Sequence, residues 1–261
     1  MAKVLIISGG SSGIGLATAS LFAERGWCVF ELSRHGVSHD GIVHVDCDVR
    51  DNASTKKAIE EVLTQTDHID VFISNAGFGI SGSVEFTDIA EAERQMDVNF
   101  MGAARLTQAV LPQLRQQRSG RIIYTSSVAA LLAVPYQAFY SASKAAINAM
   151  ALALANEVRE FGISVSVMMP GDVSTGFTDA RSKSTAGEEV YSGAHKAVST
   201  MERDERAGMA PEQMARLFWH IANSRSPRPQ YVGGFGYRVL CLLDRILPKR
   251  LVNWIEYKVY S

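Results

Sequence analysis

Short unbroken apolar runs alternate with longer segments whose apolar positions recur every three or four residues, and the alternation continues along most of the chain. Residues 3–8 (KVLIIS) are continuous and β-branched, the pattern of a strand buried on both faces of a parallel sheet. Helical spacing follows over 16–25, then apolar runs at 28–33 and 42–46, helical spacing at 53–65 and a strand at 69–74. Beyond these, a long helix is predicted from about 98 to 114, a strand at 121–125, a helix over 136–160 and a further strand at 163–168. Strands alternating with helices predict an α/β fold, a Rossmann-type doubly wound parallel sheet between two helical layers in a single domain. Ligands of such sheets bind at the carboxyl ends of the strands. The glycine and polar clusters of this chain fall at those ends.

After residue 168 the pattern loosens. Residues 176–210, with several glycines and a charge run from Glu202 to Arg206, are expected to form a flexible substrate lid or else a solvated loop. Pro211 opens a helix running to residue 223. Residues 237–247 and 250–260 then read as two amphipathic helices, so that a C-terminal extension (233–261) follows the body (1–232). The first of the two is expected to bury Val239, Leu240, Leu243 and Leu247 along one stripe. Arg238, Arg245, Lys249, Arg250 and Lys258 outnumber Asp244 and Glu256 there. Two placements are open: packing over the pocket or on a partner subunit, or lying on a membrane surface.

Composition narrows the classes. At 261 residues, 47% apolar, 20% charged and a net charge of −1, the chain can bury a full core and has no global attraction for nucleic acid. Cys28, Cys47 and Cys241 are far apart and lack Cys-x-x-Cys spacing, which suggests neither a disulfide framework nor a zinc site and makes a reducing, cytoplasmic setting the expectation. No metal is called for, since the six histidines form no His-Glu-x-x-His or paired arrangement. No apolar stretch reaches the length of a membrane span, and the first apolar run is too short for a signal peptide.

Three clusters carry candidate chemistry. Gly9, Gly13 and Gly15, with Ser11, Ser12 and Ile14 between them, turn from the first strand into a helix whose N-terminal amides and dipole suit a pyrophosphate. Next, Ser33-Arg34 ends the second strand, where an acid would bond a ribose 2′-OH and an arginine a 2′-phosphate; Arg34 argues for NADP(H) over NAD(H), with Glu31 nearby as the competing signal. Finally, Tyr140 and Lys144 lie four apart on one helix, so phenol and ammonium can share a site. At about 5.5 Å and an effective dielectric of about 20, the attraction is about 3 kcal/mol, enough to bring a phenol towards working range. Ser127 could hold a carbonyl or alcohol oxygen while the proton moves. Two competing motifs are disfavoured. Gly9-x-Ser11-x-Gly13 fits a hydrolase nucleophile elbow but follows the first strand, and Ser141-x-x-Lys144 lacks the companion motifs of penicillin-binding enzymes.

Taken together and in this order, Gly9-x-x-x-Gly13-x-Gly15, Asp48-Val49, Asn75-Ala76-Gly77, Asn99, Ser127, Tyr140-x-x-x-Lys144 and Pro170-Gly171-x-Val173-x-Thr175 resemble the short-chain dehydrogenases/reductases over about residues 3–178. The resemblance implies a catalytic tetrad of Asn99, Ser127, Tyr140 and Lys144. It further implies that Asp48 meets the adenine, Lys144 the nicotinamide ribose and Thr175 the carboxamide, and that Asn99 holds a proton-relay water. Ser8-Gly9 and Ser74-Asn75 stand where the family more often has Thr-Gly and a second asparagine. Segments around Asn99–Pro112 and Pro170–Thr178 look most like the branch near 17β-hydroxysteroid and retinol dehydrogenases. From the likeness follow an alcohol or ketone substrate of lipophilic kind and a homodimer or homotetramer paired through helices near residues 100–160. A nucleotide-binding sensor without catalysis is the alternative from another class.

Overall fold

A computed structural model describes residues 2–260; Met1 and Ser261, the outer ends of the two expected segments, lie outside the described residues. β1 (Val4–Ser8) runs through the middle of the sheet, and all five of its side chains are buried. The pleat sends alternate residues to opposite faces. Val4 and Ile6 join Phe30, Leu32 and Phe72 in one core, whereas Leu5 and Ile7 join Val29, Val71 and Ile73 in the other. Each fully buried side chain of this size contributes about 1.5–3 kcal/mol. A continuous apolar run is therefore what a strand covered on both faces requires.

The elements follow in the order α1 (Gly13–Glu24), β2 (Cys28–Ser33), β3 (Ile42–Asp46), α2 (Asn52–Gln65), β4 (Val71–Ser74), β5 (Ile80–Ser81), α3 (Ile89–Met96), α4 (Gly102–Gln117), β6 (Gly120–Thr125), α5 (Ala138–Glu157), β7 (Ile163–Met169), β8 (Ser182–Lys183), α6 (Ala194–Arg206), α7 (Pro211–Asn223), β9 (Gln230–Val232), α8 (Phe235–Ile246) and α9 (Lys249–Tyr260). The seven-stranded sheet has the order β3-β2-β1-β4-β6-β7-β9, and each neighbouring pair is parallel. Helices α2, α4 and α5 cover one face through Ala58, Leu106 and Ile147, and α1 and α7 cover the other through Phe22 and Phe218. Strand order reverses between β1 and β4, and the carboxyl ends there open the crevice in which such sheets bind ligands.

Two predicted boundaries shift, one strand is not foreseen, and one expected lid or loop contains regular structure. The helix expected from about 98 is part of a helical run starting with α3, joined to α4 by a π turn at Asp97–Met101. The helix expected from 136 starts at Ala138, because Tyr136 holds φ +62 and cannot continue a right-handed turn. β9 is too short, and too closely preceded by Pro227 and Pro229, to announce itself as an apolar run. Much of 176–210 is regular: β8 pairs with β5, α6 follows, and Arg181–Glu205, Arg206–Asp179 and Lys183–Glu202 ion pairs tie the segment together.

Candidate functional site

The glycine loop between β1 and α1 is shaped by contacts that leave no room for side chains. A Cβ on Gly15 would lie 2.0 Å from the Gly9 carbonyl oxygen, and one on Gly9 would lie 2.9 Å from the Ala76 Cα. Gly9 and Gly13 hold φ +65 and +53, a region that favours glycine. The Asn75-Ala76-Gly77 turn is fastened to this loop: Ser8 Oγ accepts from the Asn75 and Ala76 amides, and Asn75 Nδ2 donates to the Gly9 carbonyl at 3.1 Å. Ser12 precedes α1 in extended conformation and makes no side-chain cap, so the first amides of α1 have no competing side-chain acceptor from it. Backbone laid bare by glycine beside an uncapped helix N-terminus suits a pyrophosphate, and the residues present fit a dinucleotide. Ser11 and Ser12 are exposed on the crest, Ile14 is half-buried, and Thr175 lies against Gly13 from across the cleft, 3.4 Å from where a Cβ would stand.

At the end of β2 the two signals for cofactor type are separated. Glu31 is buried and bound to His44 Nδ1 at 2.6 Å and to the Ser33 hydroxyl at 2.7 Å, whereas Arg34 is exposed. Arg50, which sequence reasoning did not single out, clamps Asp48 with its Nη2 at 2.6 Å from Oδ2. That bond first, with Arg34 adding to it, holds the Asp48 carboxyl down at about 2. Val49 is a core residue, packed where a side chain on Gly102 would otherwise go.

On the other side of the crevice, β6 ends in Thr125-Ser126-Ser127 and α5 carries Tyr140 and Lys144. Lys144 is 4% exposed, donates to the Thr125 carbonyl at 3.0 Å and lies 5.8 Å from the centre of the Tyr140 ring. Burial holds its ammonium down at about 8. Tyr140 behaves differently from the expectation that Lys144 would draw its phenol towards neutrality. Burial pushes it up to about 12, Ser127 and Arg181 oppose this, and Glu205 and Asp172 add to it. The Ser127 hydroxyl accepts from the Ala129 amide at 3.1 Å, which fixes it beside Tyr140. Asn99 sits in the π turn, fully buried. Its side chain accepts from the Phe78 amide and donates to the Phe78 carbonyl and Ser143 Oγ, so its amide is committed to protein partners.

Gly9, Ser12, Gly13, Ile14, the Asn75-Ala76-Gly77 turn, Ser127, Tyr140 and Lys144 border one cavity of about 480 Å³, which runs on to the C-terminal helices; Ser11, Gly15, Ser33, Arg34, Asp48, Val49 and Asn99 do not line it. Pro170, Gly171, Val173 and Thr175 line it as well, and Pro170 accepts from the Val128 amide at 3.0 Å. Phe177 lies 5.8 Å from Tyr140, ring centre to ring centre. The Tyr237 ring of α8 closes over Gly171, where a Cβ would collide at 2.0 Å, and its hydroxyl donates to Asp172. Burial in turn raises the Asp172 carboxyl above the usual range. The stripe expected to be buried is not: Leu240, Leu243 and Leu247 face the cavity and Val239 faces outward, because α8 meets the body through Cys241.

The sequence model described as short chain dehydrogenase matches residues 3–186. The chain belongs to the short-chain dehydrogenase/reductase family. A 3-ketodihydrosphingosine reductase of Bacteroides thetaiotaomicron is 37% identical over 229 residues, covering 86% of this chain and 85% of that protein. A 3-oxoacyl-[acyl-carrier-protein] reductase, MabA of Mycobacterium avium, is 32% identical, covering 69% of this chain and 71% of that protein. The fold matches a short-chain dehydrogenase from Streptomyces avermitilis with a TM-score of 0.87 at 26% identity, covering 99% of this chain and 97% of that one.

In this member of the family the structure brings Gly9, Gly13, Ser127, Tyr140, Lys144 and Thr175 around one cavity and adds residues that the motifs missed. Arg50, which clamps Asp48, and Tyr237, which lines the cavity, belong to no quoted motif, while Asp172 and Phe177 line it from within the quoted Pro170–Thr178 segment, where sequence reasoning assigns them no role of their own. Tyr237 had a signal: it opens the amphipathic helix read over 237–247, for which packing over the pocket is one of the open placements. Arg50 had one in its position two residues after Asp48.

Proposed function

We propose that the protein is an NADP(H)-dependent reductase of a lipophilic ketone, with Asn99, Ser127, Tyr140 and Lys144 as its catalytic group. The observation that carries this reading is the single cavity in which Ser127, Tyr140 and Lys144 lie between a glycine cradle and an apolar wall. A bound nicotinamide cofactor supplies the hydride. Ser127 donates a hydrogen bond to the ketone oxygen, and Tyr140, held protonated by burial, passes its proton to that oxygen as the alcohol forms. Lys144 then returns a proton to Tyr140. A relay onward to solvent would run through a water donating to the main-chain carbonyl of Asn99, since its side chain is committed elsewhere. A phenol held up at about 12 is protonated at neutral pH, the form that can donate to a ketone oxygen.

Arg34 and Arg50 are the residues for a 2′-phosphate; the competing Glu31 is engaged by His44 and Ser33. On the substrate side the cavity is lined by Asp172, Asp204, Glu205, Asp244 and Glu256, of which Glu205 pairs with Arg181 and Asp244 with Lys249, and among the described lining residues Lys144 is the one Lys or Arg. A neutral or amino-bearing long-chain ketone suits that wall better than an anionic carrier thioester. Such a ketone, of the kind named for the Bacteroides relative, is the substrate we infer; the likeness to steroid and retinol enzymes supports the lipophilic class without a specific contact. A cytoplasmic homodimer or homotetramer paired through α4 and α5 completes the proposal.

The test is a fluorescence titration with NADPH and NADH, followed by an absorbance assay against 3-ketodihydrosphingosine, steroid and aromatic ketones and a 3-oxoacyl thioester. Tighter NADPH binding, lost in Arg34→Ala with Arg50→Ala, and turnover of the amino ketone are expected. Tighter NADH binding overturns the cofactor assignment, turnover of the thioester alone overturns the substrate, and tight cofactor binding with no turnover favours the sensor.

A further inference from the structure

The two C-terminal helices are apolar on more than the side that walls the cavity. Along α8, Phe235, Val239, Leu242 and Ile246 follow at spacings of four, three and four residues and so form one stripe. None of them lines the cavity, which is bordered by Leu240, Leu243 and Leu247 on an adjacent stripe. On α9 the same division holds: Val252, Ile255 and Val259 line the cavity, while Leu251, Trp254 and Tyr257 do not. The outward set is open to solvent, with Phe235 81%, Ile246 69% and Trp254 57% exposed. Each helix buries a single residue, Cys241 or Val252.

We propose that this outer face docks on an anionic lipid bilayer, with α8 and α9 lying in the interfacial plane beside the cavity they wall. Charge selects this occupant. Arg250 and Lys258 stand with the apolar stripe of α9, and Arg238 and Arg245 flank that of α8 while donating to the Val232 carbonyl and Gln230 Oε1, whereas both acids of the pair, Asp244 and Glu256, are turned to the cavity, Asp244 held by Lys249. A face bearing cations without acids is complementary to anionic headgroups. Against a second copy across a two-fold axis it would set like charges together. Trp254 and Tyr257 are the side chains that settle at the headgroup boundary, and long cationic side chains reach the phosphates while their stems stay on apolar surface. Among the described residues no helix is long and apolar enough to cross a membrane, so the contact is one of lying on the surface. The docking face stands whichever ketone the enzyme reduces.

The full chain is to be sedimented with vesicles of phosphatidylcholine alone and of phosphatidylcholine mixed with phosphatidylglycerol. Binding to the mixed vesicles, weakened by salt and accompanied by a blue shift of tryptophan emission, is expected. Leu242→Ser with Trp254→Ser, and separately Arg250→Glu with Lys258→Glu, should each lower partitioning about tenfold or more. The thermal midpoint should stay within about 2 °C in both variants, which separates lost docking from lost folding. Absence of binding by the unaltered protein, equal binding to neutral vesicles, or variants that still bind fully overturns the proposal. So does a dimer in size-exclusion chromatography that the same substitutions split, since the face would then be a subunit interface.

Discussion

In the glycine cradle a methyl group has nowhere to go, whereas on the outer face of α8 the leucine side chain of Leu242 is left more than half exposed. The cradle borders the cavity and so does the helix that carries this face, through its adjacent stripe, and both regions are rich in residues that sequence patterns flag. The cradle is fixed by contacts on every side: Gly15 against the Gly9 carbonyl, Asn75 tied to Gly9, Thr175 lying on Gly13. The C-terminal pair is attached along one line and keeps its other apolar faces free. Rigid placement suits transfer of a hydride and a proton between atoms that must meet within tenths of an ångström. Loose attachment suits an element that admits a large apolar molecule. The difference predicts where substitutions should matter.

The largest effect is expected at the centre of the rigid half. Tyr140→Phe removes the proton donor but keeps the ring beside Phe177, so turnover should fall about a thousandfold while NADPH affinity changes about twofold or less. Steady-state assay with a fluorescence titration measures both, and unchanged turnover would remove Tyr140 from the mechanism.

Next comes a pH effect on the same half. Burial holds Lys144 at about 8 against an ordinary 10.5. Between those values the unfolded chain carries a proton that the folded chain has released, so this residue makes stability rise with pH across the window, by up to about 3 kcal/mol, and adds no slope below it. Lys144→Met should remove that slope. Urea denaturation of both proteins from about pH 7 to pH 10.5 isolates it by difference; parallel curves would mean that the ammonium is hydrated after all.

Smaller again is Gly15→Ala. One methyl group 2.0 Å from the Gly9 carbonyl must push the loop aside, at a cost of about 2 kcal/mol of stability and with marked loss of NADPH affinity. Normal binding by this variant would mean that the cradle is as pliable as the C-terminal pair.

The two halves were not equally legible in the sequence. Continuous apolar strands and glycine spacing have one physical solution, so the parallel sheet, its crevice and the position of the cradle could be read from residues 3–171 directly. Other features depend on distances that spacing does not contain. Tyr140 and Lys144 share a helix face, yet the ammonium donates to Thr125 and burial, not attraction, governs the phenol. Asn99 was placed by motif, but its position in a π turn and the commitment of its amide to Phe78 and Ser143 follow from packing. The stripe of α8 shows the limit most plainly. Periodicity reports that Val239, Leu240 and Leu243 are apolar along one side of a helix, and carries no information about whether anything covers them.

The smallest predicted effect tests that last point. Ile246→Ser replaces an apolar side chain that is 69% exposed in the folded protein and exposed again in the unfolded chain, so little burial is lost and stability should change by about 0.5 kcal/mol or less. Serine and isoleucine have about equal helix propensities, so the exchange at one position in α8 adds a few tenths of a kcal/mol at most. Thermal denaturation of a dilute sample, where any association is weak, is the measurement. A loss well above 1 kcal/mol would show that α8 packs its outer stripe against the protein, and the contrast between a filled cradle and an uncovered helix face would be gone. A change within the predicted range leaves Ile246 with no folding role that accounts for an isoleucine there, so the reason for it must lie in what the face meets outside its own chain.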